Sequence, residues 1–191
     1  MHLKHCTLSA MESVKMTLTG SKKWMRTRSD CRLCGSLSLQ PVIPLGETPL
    51  ANEFVKEADR GKPQDRFPLT VYLCLECGHA QLRDVVDPER LFRNYVYVSS
   101  TSPVFVEHFK RYAEDIRVLL DLKRGDKVVE IGSNDGVLLR HFKDAGLNVL
   151  GVDPAKDIAS RASESGIRTL PEFFTLDLAK KLRVEGWGPM W

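Results

Sequence analysis

Val129-Glu130-Ile131-Gly132-Ser133-Asn134-Asp135-Gly136 is the stretch on which the fold turns. Val128-Val129-Glu130-Ile131 is a short apolar run of the buried-strand type, and Gly132 to Gly136 is a turn. Gly132 allows the backbone to bend sharply where the strand ends. Gly136 allows a ligand to approach the start of the next helix with no Cβ in the way. Val137 to Ala145 reads as that helix, closed by Gly146. Asn148 to Val152 is a second strand, Ala155 to Ser165 a second helix closed by Gly166, Ile167-Arg168-Thr169 a third short strand and Glu172 to Arg183 a third helix. Strands that alternate with helices build a parallel α/β sheet with right-handed crossovers. No internal repeat is visible.

The acids around this turn narrow the ligand. Asp153 closes the second strand, twenty-one residues after Gly132. An acid at that point of a βαβ unit reaches the two hydroxyls of a bound ribose. A dinucleotide would call for the pattern G-x-G-x-x-G, which places pyrophosphate on the helix N-terminus. Here Asn134 stands at the second glycine and Asp135 puts a negative charge in the turn. Such a turn suits a ligand without phosphate that carries a cationic amino-acid end, and S-adenosylmethionine is such a ligand. Glu130, Gly132, Asn134, Asp135, Gly136 and Asp153 are then the cofactor-binding candidates, with Glu130 helping to hold the amino group through water and backbone of the turn. A dinucleotide site and a glycine turn with no ligand are the competing readings.

Upstream, Cys31-Arg-Leu-Cys34-Gly35 and Cys74-Leu-Glu-Cys77-Gly78 are two copies of one knuckle, with thirty-nine residues between Cys34 and Cys74. Two C-x-x-C turns complete a tetrahedral four-sulfur site that suits zinc, with Zn–S of about 2.3 Å. Four protein ligands leave no open position, so the metal is structural. Iron and a pair of redox dithiols are the alternatives. The spacing does not identify a DNA-binding finger. His79 follows the second knuckle and reads as a neighbour of the site, not a ligand. Residues 31–88 are short runs broken by Gly46, Pro49, Gly61, Pro63 and Pro68, with Leu69-Thr70-Val71-Tyr72-Leu73 as the clearest strand. A segment this poor in apolar mass needs a staple to order it, which the metal supplies.

Residues 89–120 read as a connector and a helix. Ser102 is an N-cap and Pro103 takes the first helical position. Val106, Phe109, Ala113, Ile116 and Leu120 form one apolar stripe. Glu107-His108 reads as part of a solvated face. Residues 1–30, which include Cys6, look unlike the rest and show no sustained period. They are expected to be a disordered or misassigned leader, with a transit peptide as the functional alternative.

The chain has 191 residues and a formal net charge of +3. Residues 1–30 carry six Lys/Arg against Glu12 and Asp30, so the rest is close to neutral. That balance argues against a nucleic-acid surface driven by counterion release. No stretch approaches the ~20 apolar residues of a membrane span. No secretory signal is evident, and paired cysteines of this kind fit a cytoplasmic protein.

Taken together, these stretches resemble the sugar-nucleotide C-methyltransferases. The resemblance runs through both knuckles, Leu45-Gly46 with Pro49-Leu50-Ala51-Asn52, and His79 with Gln81-Leu82. It continues through Tyr95-Val-Tyr97-Val-Ser99-Ser100-Thr101-Ser102, the Val129 to Gly136 turn and Gly151-Val152-Asp153-Pro154. It spans roughly residues 31–183. It implies a zinc-binding segment (31–88), the connector (89–120) and an incomplete Rossmann-like class I S-adenosylmethionine-dependent methyltransferase domain (121–191). The implied reaction adds a methyl group to carbon 3 of a nucleotide-linked 4-keto-deoxysugar. The resemblance makes Tyr95 and Tyr97 catalytic candidates, for hydrogen bonding the keto oxygen or assisting proton transfer, and makes Ser99 and Ser100 lining of the cofactor cleft. It places the general-base histidine beyond residue 191, so the chain is expected to be a truncated piece without turnover. A zinc-stabilised binding module without catalysis is the alternative.

Overall fold

The computed structural model describes residues 21–188. The strand–helix alternation expected after Lys127 is present. Strand β6 (Lys127–Ile131), helix α3 (Val137–Asp144), β7 (Asn148–Val152), α4 (Lys156–Glu164), β8 (Thr169–Leu170) and α5 (Leu176–Val184) follow in order. The three strands pair in parallel in the order β6-β7-β8, with Glu130 beside Gly151 and Val152 beside Leu170. The result is an α/β unit with apolar layers on both faces of the sheet. On one face Leu138, Phe142 and Leu147 pack with Ala113 of α2 (Pro103–Leu119) and with the half-buried Phe109, Ile116 and Val128. On the other, Leu150 and Val152 meet Leu178 and Leu182 of α5, with Val129 and Trp187 alongside.

Helix α2 starts as its sequence indicates. The Ser102 hydroxyl accepts the Phe105 N–H, and Pro103 needs no partner at the first turn. Its apolar stripe holds through Ile116. Leu120, the last expected member, is exposed, and Leu122 joins the cluster in its place because the helix has ended. Glu107 pairs with Arg111 on the outer face.

The cysteine-bearing region is antiparallel. Strands β2 (Leu39–Thr48), β3 (Phe67–Cys74) and β4 (Ala80–Leu82) form one sheet in that order. Strand β2 was not legible as a ten-residue strand, because Pro41, Pro44 and Gly46 break its apolar pattern. It lies at the sheet edge with register shifts between Pro41 and Ile43 and between Pro44 and Glu47, where a missing N–H costs little.

One expectation needs correction. Residues 1–30 are not uniformly without regular structure: Met25–Thr27 is a strand, β1, paired antiparallel with β5 (Asp84–Val86). The pairing partner lies about sixty residues away, so no local period announces it. Residues 1–20, with Cys6, lie outside the described residues. A short helix, α1 (Pro88–Phe92), opens the connector, capped by the Asp87 carboxylate, which accepts the Glu89 N–H. Among the described residues no helix is long and apolar enough to cross a membrane.

Candidate functional site

The two knuckles meet. Sγ of Cys31 lies 3.7 Å from Sγ of Cys77, and Sγ of Cys34 lies 3.6 Å from Sγ of Cys74. All four sulfurs fall within 4.8 Å of one another. A tetrahedral ion with Zn–S of about 2.3 Å requires sulfur–sulfur edges of about 3.8 Å, so the cluster has the dimensions of a four-thiolate zinc site. Cys31 and Cys74 are buried. His79 is not in the cluster; its carbonyl accepts the Cys74 N–H. Gln81, nearly fully buried on β4, accepts from the Arg32 N–H and donates to the Asp30 carbonyl, pinning the first knuckle to the sheet.

The second site lies at the C-terminal ends of the parallel strands. A cavity of about 540 Å³ is lined there by Gly132, Asn134, Asp153 and Pro154 on the loop side and by Phe92, Tyr95, Phe173 and Phe174 as an aromatic wall. Four of the expected site residues, Tyr95, Gly132, Asn134 and Asp153, therefore face one space. Ser100 and Asp135 line a separate cavity of about 340 Å³ with Arg140 and Arg161. Glu130, Gly136, Tyr97 and Ser99 line neither cavity.

Gly132 and Gly136 play different parts. Both have positive φ, +74° and +75°. A Cβ on Gly132 would meet nothing within 4 Å, whereas one on Gly136 would lie 2.7 Å from Cγ2 of Ile167. The space at Gly132 is open to a ligand. The missing Cβ at Gly136 serves the packing of α3 against Ile167, not the ligand approach expected from the sequence.

Asn134 organises the loop. Its own N–H donates to Oδ2 of Asp153 (2.8 Å), its side-chain carbonyl accepts the Ser99 N–H (2.9 Å), and its Nδ2 donates to the Tyr97 carbonyl (2.9 Å). Asp135 accepts the Ser100 N–H (3.2 Å). The Tyr97–Ser100 segment is thus docked on the glycine turn through its backbone. The serine side chains do not make these bonds. Asp153 is buried, and its other oxygen accepts the Ala155 N–H (2.9 Å). Each carboxylate oxygen keeps a second lone pair for a ligand hydroxyl.

Two buried carboxylate oxygens, Oε2 of Glu130 and Oδ1 of Asp135, have no hydrogen-bond partner among the described residues. Burial first, then Asp135 and Asp153, push the Glu130 carboxyl up to about 7. An unsatisfied acid cluster of this kind favours a cation. Tyr95 differs from Tyr97 in its surroundings. Its Oη accepts a hydrogen bond from Nδ2 of Asn52 (2.9 Å), which crosses from the cysteine-bearing region, while Tyr97 is 39% exposed.

Three contributors were not read from the sequence. Asn52, whose φ is +61°, carries no sequence signal of its own beyond the family resemblance. Phe173 and Phe174 were assigned to a helix, but α5 begins at Leu176 behind an N-cap, Thr175, whose hydroxyl accepts the Leu178 N–H. That cap was the available signal, since it leaves residues 172–174 as loop.

Residues 31–92 match the family model described as "Putative zinc binding domain". The chain is 35% identical to the C-methyltransferase NovU of Streptomyces niveus over 158 residues, 83% of this chain and 38% of that protein. By sequence the chain is similar to a C-methyltransferase and carries a match to a zinc-binding domain over residues 31–92. It spans about two-fifths of the length of the relative it matches.

Proposed function

We propose that this chain carries the zinc-stabilised segment and the cofactor-binding half of a class I, Rossmann-like C-methyltransferase that uses S-adenosylmethionine and acts on a nucleotide-linked keto sugar. The observation that carries the reading is the cavity at the parallel strand ends, with an acid and an open glycine on one side and an aromatic wall on the other. Asp153 would take the ribose hydroxyls on its remaining lone pairs. The aromatic wall of Phe92, Phe173 and Phe174 would accept the adenine. Glu130 and Asp135 do not line this cavity, but their unpartnered buried oxygens on the same strand and turn would favour an ammonium group reached through water. The negative charge of the turn disfavours a pyrophosphate there, and with it a dinucleotide.

When bound, S-adenosylmethionine supplies an electrophilic methyl group to the carbon beside the sugar ketone. The residues of this chain then position and polarise. Because Tyr95 Oη accepts the Asn52 amide N–H, its own O–H is left to donate. It would hydrogen bond a ketone oxygen and stabilise the negative charge that grows there as the neighbouring carbon loses its proton. Tyr97, half-exposed and engaged only through its carbonyl, is the weaker candidate of the two. The metal site has no open position and keeps the Asn52-bearing region folded.

Titration calorimetry tests the reading. S-adenosylhomocysteine is expected to bind and NADH and FMN are not. Binding of a dinucleotide with no response to S-adenosylhomocysteine would defeat it.

A further inference from the structure

The two sides of the cavity belong to different loops: Asp153-Pro154 follows β7, and Pro171 to Phe174 follows β8. The Asp153 N–H donates to the carbonyl of Leu170, at the end of β8 just before the second loop. Arg93, just past α1, spans the gap from outside. One guanidinium nitrogen, Nη1, donates both to the Pro154 carbonyl (3.3 Å) and to the Pro171 carbonyl (3.1 Å). Nε and Nη2 form a forked pair with the Glu89 carboxylate (2.8 and 2.5 Å). The guanidinium plane lies 4.8 Å from the Phe173 ring centroid. Arg93 does not line the cavity, but Pro154 and Phe173, which it holds, both do.

We propose that Arg93 is the positioning residue for the adenosine end of the cofactor: it clamps the acid-bearing loop and the aromatic loop to a fixed separation. The proposal rests on the S-adenosylmethionine reading above. The chemistry requires arginine. A flat, five-donor cation can fork to Glu89, bridge two carbonyls and cover a ring at once, whereas a lysine ammonium is a point charge that cannot do all three. Glu89 sets the rotamer of Arg93 from the solvent side, with more than half of its own side chain exposed.

The role predicts where affinity is lost. Arg93 bonds to Glu89, Pro154 and Pro171 and to neither Glu130 nor Asp135, so Arg93→Ala should weaken S-adenosylhomocysteine and 5′-methylthioadenosine, which lacks the amino-acid end, by the same factor of about tenfold. Glu130→Gln should weaken only the former. Arg93→Lys should lose nearly as much as Arg93→Ala, because geometry and not charge is at stake. The experiment is calorimetry of both ligands with the wild-type chain and these variants, with metal content and melting temperature measured alongside. Wild-type affinity for 5′-methylthioadenosine in Arg93→Ala or Arg93→Lys overturns the proposal while leaving the cofactor reading intact. A loss confined to S-adenosylhomocysteine overturns it equally. If Arg93→Ala fails to fold, Glu89→Gln decides: a parallel loss for both ligands supports the clamp, and unchanged affinity overturns it. Failure of the wild type to bind either ligand removes the cofactor reading and the proposal with it.

Discussion

Glu130, near the end of β6, offers the sharpest test of whether the acids beside the cavity meet a ligand's ammonium group. Its carboxyl is held at about 7 against an ordinary value of 4.5, by burial first and then by Asp135 and Asp153. At about 1.4 kcal/mol per pKa unit, ionising it costs the native state roughly 3 kcal/mol. The sign follows from proton counting. Between pH values near 4.5 and 7 the native state binds more protons than the unfolded chain, so stability falls as pH rises through this window and is fully present below it. A bound ammonium group reverses the balance, since it favours the carboxylate. Binding of S-adenosylhomocysteine should therefore expel close to one proton at about pH 6 and almost none at about pH 8, and affinity should rise with pH between these limits. Calorimetry at about pH 6 in two buffers of different ionisation enthalpy measures the released proton directly. Glu130→Gln should abolish the release, weaken binding, and raise the melting temperature of the unliganded protein at alkaline pH by removing the strained charge. Equal heats in both buffers for the wild type, or a proton release that survives in Glu130→Gln, would refute the reasoning.

Other consequences can be measured with less effort. Cys74→Ser should reduce bound zinc from about one ion per chain to a trace and lower the melting temperature; elemental analysis and a thermal melt report both. Asp153→Ala leaves the Asn134 and Ala155 N–H groups without their acceptor and should cost about 2–5 kcal/mol of stability as well as cofactor affinity. Chemical denaturation and calorimetry read the two losses, with Asp153→Asn expected to recover part of the stability. Gly136→Ala places a methyl group against Ile167 on a left-handed backbone and should destabilise by about 2–4 kcal/mol. Denaturant midpoints for Gly132→Ala, whose Cβ meets no protein atom, should show a smaller loss.

The sequence was readable wherever order is local. The run from Val128 to Ile131, the turn after it and the capped start of α2 at Ser102 each carry their signal within a few residues, and each was found. The metal site was equally legible, because two knuckles of the same C-x-x-C-G form need only meet. What stayed hidden depends on partners far along the chain. β1 is three residues long and exists because Asp84–Val86 lies beside it. β2 tolerates two prolines only because it is an edge. Arg93 reads as one charge among many until Pro154 and Pro171 are brought under it. The division of labour between Gly132 and Gly136 was also beyond the sequence, since both look alike until Ile167 is in place.

Asn134 holds a left-handed backbone, with φ of +49°, that a glycine would adopt with less strain. Its amide nevertheless grips Ser99 on one side and Tyr97 on the other. Replacing it with glycine, the residue nucleotide loops prefer here, would ease the bend and release the tyrosine segment in the same step. Local comfort and long-range attachment thus pull in opposite directions at one position. This loop is thereby resistant to drifting toward a dinucleotide-type turn by a single substitution.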